Sequence, residues 1–142
     1  MRRFVYSAIA AAALMLAVMV EAPAAQGSQL ISVKPQHLVL RAAFGTSVVG
    51  SITITNTSTG TLSVRLNASP PDNIDIAIEG STCTIASDNV LANGASCTVL
   101  VRYTGFEFLG PRSTATLLVT ARDPQTGELL ESDVVKITGK SP

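Results

Sequence analysis

The chain has 142 residues, no net charge, 46% hydrophobic residues and only 14% charged ones. That length bounds it to one ordinary domain. Beyond residue 24, its 8 basic and 9 acidic side chains leave no electrostatic footprint for nucleic acid. Two cysteines and one histidine are too few for the usual structural zinc sites, and no cofactor or metal is expected.

In chain order, Arg2 and Arg3 precede a 16-residue uncharged stretch from Val5 to Val20. Ala22-Pro23-Ala24 then places small residues at the −3 and −1 positions of a cleavage site. This three-part pattern predicts a helical signal peptide over 1–24, cut between Ala24 and Ala25. The stretch is shorter than the ~20 residues that span a bilayer comfortably. The alternative is an uncleaved N-terminal anchor, which would be the chain's one membrane contact. A short leader over 25–29 and a single domain over 30–139 follow, and the exported product is expected to be secreted or periplasmic.

From residue 30 onward the hydrophobic period is two, not 3.6. Ile52 and Ile54 alternate with Ser51, Thr53 and Thr55; Leu62, Val64 and Leu66 alternate with Thr61, Ser63 and Arg65. Ile74, Ile76 and Ile78 form a further run, and Cys97, Val99, Val101 and Tyr103 share one face. Ala115, Leu117, Val119 and Ala121 alternate with polar residues, and Val135 and Ile137 close the series. Each run has one greasy and one wetter face, the mark of antiparallel sheets. Turn residues separate the runs at Asn56–Gly60, Pro70–Asn73, Asn93-Gly94, Gly110-Pro111 and Asp123–Gly127. The prediction is an all-β fold of seven to eight short strands, either a two-sheet sandwich or a small closed barrel.

Cys83 and Cys97 both lie in the exported part, where an oxidising compartment lets them pair. The alternative, a redox or metal pair, has neither the C-x-x-C spacing nor a nearby histidine. A bond between them would close a loop of about 15 residues, worth about 3 kcal/mol in the chain-entropy model.

Three spaced motifs carry a resemblance. Ile31-Ser32-Val33-Lys34-Pro35 followed by Leu38-Val39-Leu40 is similar to an opening "V-x-P-x-x-L-x-F" strand pair. Gly45 with Gly50-Ser51-Ile52-Thr53-Ile54-Thr55-Asn56-Thr57 is similar to a "G-x-x-x-x-x-x-I-T-L-x-N" strand. Cys83, then Leu91 through Tyr103 with Gly94, Ser96 and Cys97 between, resembles "C-x(n)-L-x-x-G-x-S-C-x-I-x-V-x-F". Together they resemble the choice-of-anchor D, or ASPM/SPD-2/Hydin-like (ASH), domain, whose relatives include the major sperm protein and pilus-chaperone folds. The likeness spans about residues 30–139 and implies an immunoglobulin-like β-sandwich. It also implies an interaction or surface module without an enzymatic site. The chain departs from that pattern after Tyr103, where Thr104-Gly105-Phe106-Glu107-Phe108 stands in place of an early proline.

Candidate sites follow from the remaining chemistry. His37, the sole histidine, lacks a nucleophile-elbow motif to serve and reads as a surface residue. Asp72, Asn73 and Asp75 cluster without the spacing of a calcium loop. Glu107 has no second carboxylate near it in sequence. Asn56-Thr57-Ser58 and Asn67-Ala68-Ser69 fit the glycosylation sequon. Phe106, Phe108 and Leu109 fall together in the Thr104–Arg112 connection. They form either a hydrophobic plug or a partner-binding loop. The expected function is an exported, non-catalytic module whose partner is another protein. The alternative is a pilus or surface-structure subunit, or a chaperone-like periplasmic protein.

Overall fold

A computed structural model describes residues 29–107 and 110–142; the signal segment and the Ala24–Ala25 junction lie outside the described residues. Nine strands run in chain order: β1 Ile31–Lys34, β2 His37–Arg41, β3 Ser47–Asn56, β4 Leu62–Ala68, β5 Ile74–Ile76, β6 Asp88–Leu91, β7 Ser96–Thr104, β8 Arg112–Arg122 and β9 Leu129–Lys140. They form two sheets, one ordered β1-β3-β7-β5 (sheet A) and one ordered β2-β9-β8-β4-β6 (sheet B). The architecture is the two-layer sandwich, not the closed barrel.

Two details correct the sequence reading. There are nine strands rather than seven or eight, because Asp88–Leu91 forms an extra four-residue strand against β4. Its apolar residues are only Val90 and Leu91, too few to register as a period. The pairing is also not wholly antiparallel: β2 runs parallel to β9 over His37–Arg41 and Lys136–Lys140. The cause lies at Pro35, which has no N–H to continue the sheet A ladder. The chain crosses there from β1, paired antiparallel to β3, into β2 on the opposite sheet.

The alternating pattern fills the space between the layers. From sheet A, Ile52, Ile54, Val99, Val101 and Tyr103 are fully buried, and from sheet B so are Val64, Leu66, Leu117, Val119, Val135 and Ile137. Each such aliphatic side chain contributes about 1.5–3 kcal/mol relative to exposure. Two glycines answer to close packing. A Cβ on Gly139 would overlap the Tyr103 ring, and one on Gly50 would stand 2.7 Å from Leu40 Cδ2 and 3.0 Å from Leu38 Cδ1. Bare backbone on β9 therefore makes room for the tyrosine. Bare backbone on β3 lets β2 settle onto sheet A.

Among the described residues two buried polar atoms, Asn73 Oδ1 and Arg122 Nε, have no hydrogen-bond partner, whereas the Asn56 side chain at the end of β3 is bonded through both its nitrogen and its oxygen. Asn56 is fully buried; its amide donates to Gly60 O and Leu91 O, both at 2.8 Å, and its Oδ1 accepts from Ser58 N at 2.9 Å. It thus ties the β3–β4 turn to β6, and its burial removes it as a glycosylation acceptor in the folded chain. At the β8–β9 turn, the amides of Thr126 and Gln125 hold the Asp123 carboxyl below the usual carboxylate range.

The Cys83–Cys97 disulfide forms, with Cα atoms 5.2 Å apart. Both residues are buried, and Thr82 N and Cys83 N donate to Thr98 O beside the bond. The bridge fastens the irregular chain after β5 onto β7. Replacing both cysteines in a Cys83→Ala/Cys97→Ala variant should cost about 3 kcal/mol. Urea unfolding should show the loss as a lower midpoint, with the far-ultraviolet strand signal unchanged before the transition.

Candidate functional site

The connections at one end of the sandwich are laced together by backbone bonds. Gly45 N donates to Gly105 O at 2.8 Å, and Gly105 N donates to Thr46 O at 3.0 Å. Phe44 forms an isolated parallel bridge with Gly105. A side chain at Gly105 would collide with Ala43 O, 2.5 Å from an ideal Cβ, so glycine permits this close approach. The C-terminal segment joins the same end: Ala42 N donates to Lys140 O, and Ser141 N donates to Pro111 O. Beneath it, the Tyr103 hydroxyl lies 2.8 Å from Ser141 Oγ, both buried. Asn73, 2% exposed, anchors the loop before β5 by donating to Ser113 Oγ at 2.7 Å.

From this fixed frame two phenyl rings stand into solvent, Phe44 at 46% and Phe106 at 43% exposure. The Phe106 ring is thus partly open to solvent. Phe108 and Leu109, the other two members of the expected loop, lie outside the described residues. Phe44 is the residue that sequence reasoning missed. It belongs to the β2–β3 connection, and only the bridge to Gly105 brings it next to the β7–β8 loop.

The remaining candidates do not gather. His37 opens β2, is exposed, and its Nε2 sits 3.1 Å from Thr138 Oγ1. Asp72 and Asp75 are exposed while Asn73 between them is buried, so the three side chains do not converge. Glu107 is exposed beside Phe106. Among the described residues no three His, Cys, Asp or Glu side chains come together to hold a metal.

No protein-family model matches the chain, and no curated protein matches it. Solved structures do share its fold. The chain superposes on an ASH/PapD-like domain of human CEP192 with a TM-score of 0.60 at 10% identity, over 80% of this chain and 85% of that one. It superposes on WR4, a Caenorhabditis elegans major-sperm-protein family member, with a TM-score of 0.53 at 11% identity, over 80% and 98%. A third similar structure is the periplasmic chaperone SfaE, with a TM-score of 0.57 at 8% identity, over 78% of this chain and 57% of the chaperone. The chain spans little more than half of that chaperone. Its fold is thus the immunoglobulin-like sandwich of the ASH, major-sperm-protein and PapD-like kind, as the spaced motifs implied.

Because both rings are exposed, the double variant Phe44→Ser/Phe106→Ser should change stability by less than about 0.5 kcal/mol. The buried Tyr103→Phe, which leaves Ser141 Oγ without its partner, should cost about 1 kcal/mol. Chemical denaturation of the two variants beside the wild type measures both.

Proposed function

We propose that the chain is an exported, non-catalytic immunoglobulin-like module that binds another protein through the end of the sandwich bearing Phe44 and Phe106. The observation that carries this reading is the pair of exposed phenyl rings, from two separate connections, held in place by the Gly105 backbone. Rigidly presented aromatic rings are the groups that anchor protein interfaces. The aromatic side chains beyond the signal segment number only four, and two of these are placed where they contribute nothing to the core.

An extracytoplasmic setting agrees with the buried disulfide and with the export signal read from residues 1–24. The fold likeness to SfaE, a periplasmic chaperone by its description, is consistent with that setting. Processing at Ala24–Ala25 would release a domain that begins with the short leader before β1.

The test is affinity purification of the full chain from its native envelope or medium. The wild type and Phe44→Ser/Phe106→Ser are purified in parallel. A partner retained by the wild type and depleted at least tenfold from the variant is the expected result. Identical partner profiles, with both proteins folded, would sink the proposal, and an unprocessed N-terminal mass would sink the cleavage at Ala24–Ala25.

A further inference from the structure

We propose that Asn93 is a site of spontaneous covalent modification, converted through a succinimide to aspartate and isoaspartate, and that Asn56 sets the rate by clasping the β6–β7 turn. The inference is independent of the protein-binding reading, since Phe44 and Phe106 lie beyond the opposite ends of β3 and β7.

The reaction needs only the chain and water. Gly94 N bonds to Asn93 Cγ, the Cγ–Nδ2 bond breaks, and the nitrogen leaves as ammonia with the proton that Gly94 N gives up. Water then opens the five-membered ring. Opening at Cγ gives aspartate. Opening at the backbone carbonyl leaves the chain running through Cβ and Cγ, as isoaspartate.

The chain has five asparagines, at 56, 67, 73, 89 and 93, and only Asn93 precedes a glycine. A Cβ on the following residue crowds the attacking nitrogen, and glycine has none. Asn56, Asn73 and Asn89 are also buried, and Asn67 sits inside β4. Asn93 and Gly94 are both exposed, at the centre of a tight turn closed by Ala95 N donating to Ala92 O at 2.9 Å. Gly94 takes a φ of 75° while Asn93 keeps a negative one, the signature of a type II turn. A Cβ at Gly94 would meet nothing within 4 Å, so the space around the turn is open.

The restraint on the turn is Asn56. Its N donates to Ala95 O and its O accepts from Gly94 N, both at 2.9 Å, and its Nδ2 donates to Leu91 O at 2.8 Å. The bond from Gly94 N occupies the nitrogen that would attack, so conversion waits for the turn to lift from Asn56. Lifting displaces the exposed residues Ala92 to Gly94 and leaves the interleaved aliphatic layers in place. It therefore belongs to the local, low-energy class of opening motions.

Either product adds one negative charge to a chain that has none net. Isoaspartate also lengthens the backbone between Ala92 and Gly94 by one carbon, which carries Gly94 N out of register with Asn56 O. The buried bridge at Cys97 still fastens the start of β7, so the change marks the turn without dissolving the sheet.

The test incubates the full chain at neutral pH beside the free peptide Leu-Ala-Asn-Gly-Ala-Ser. Peptide mapping separates aspartate and isoaspartate from asparagine, and hydrogen exchange gives the protection factor of the Gly94 amide. The expected result is conversion at Asn93 alone, at the peptide's rate divided by that protection factor, because both reactions need the same nitrogen freed. Asn56→Ala, which removes the tie to Leu91 O, should raise the conversion rate and the Gly94 exchange together by about fivefold to tenfold. Should that variant fail to fold, Ser58→Ala removes the hydroxyl that donates to Asn56 Oδ1 at 2.7 Å and should move both rates the same way. Tyr103→Phe, which weakens the fold far from the turn, should leave both within about twofold. A rate differing from the expected quotient by more than about tenfold overturns the inference, as does equal conversion at another asparagine. Protection of Gly94 as high as that of the core amides, or equal acceleration by Tyr103→Phe, overturns the gate at Asn56.

Discussion

The crossing between β1 and β2 is the constraint on which the rest of the structure depends. Within three residues, Lys34 to Gln36, the chain leaves sheet A and joins sheet B. Pro35 ends the first ladder by lacking a donor, and Gln36 begins the second by accepting from Lys136 N. Contacts on β9 hold the crossing from both sides: Leu30 N donates to Glu131 Oε2 at 2.6 Å, and the Gln36 side chain donates to Asp133 Oδ2 at 3.2 Å. One strand thereby touches both layers. It also delivers the β2–β3 connection, with Phe44, to the end of the sandwich where β7 turns toward β8.

A sandwich of two open sheets has four terminal strands, here β1, β5, β2 and β6. Open edges invite unwanted pairing, and each is treated differently. β5 has only three residues, and past it the chain continues along β7 through Ile78 N to Leu100 O and Cys83 N to Thr98 O, locked by the disulfide. β6 has four residues and is pinned by Asn89, whose amide donates to Val64 O at 3.1 Å. β1 is short and lies against the crossing. β2 is guarded by charge rather than by cover.

The layered architecture was legible in the sequence because the core is built almost entirely from alternating aliphatic residues, with punctuation where the strands turn. Cys97, Val99, Val101 and Tyr103 are all buried on one side of β7, as their spacing implied. The disulfide was legible from compartment logic. What was not legible depends on which strands become neighbours. The run Ile74, Ile76, Ile78 gives a strand only as far as Ile76, because Ala77 takes a positive φ of 58° to send the chain toward the disulfide. The parallel pairing of β2 with β9 joins segments about a hundred residues apart, and no local pattern announces it. The Arg41–Lys140–Arg112 row is a product of such long-range register, and the placement of Phe44 beside the β7–β8 loop comes from its separate bridge to Gly105. In the sequence they are isolated residues of ordinary type.

The two outer faces of the sandwich differ because of this register. Sheet A satisfies its own polar surface. Ser47 Oγ and Thr104 Oγ1 lie 2.7 Å apart across β3 and β7, as do Thr55 Oγ1 and Ser96 Oγ, and Arg102 stands opposite Asp75 on β5. Hydroxyls bonded to one another and a cation set beside a carboxylate have little left to offer a ligand. On sheet B, Arg41, Lys140 and Arg112 stand in one row, while the Thr138 hydroxyl beside them is buried and lies 3.1 Å from His37 Nε2. The two otherwise similar threonine-rich faces therefore differ in charge, and the row of like charges on sheet B lies at the end of β2 that leads to Phe44.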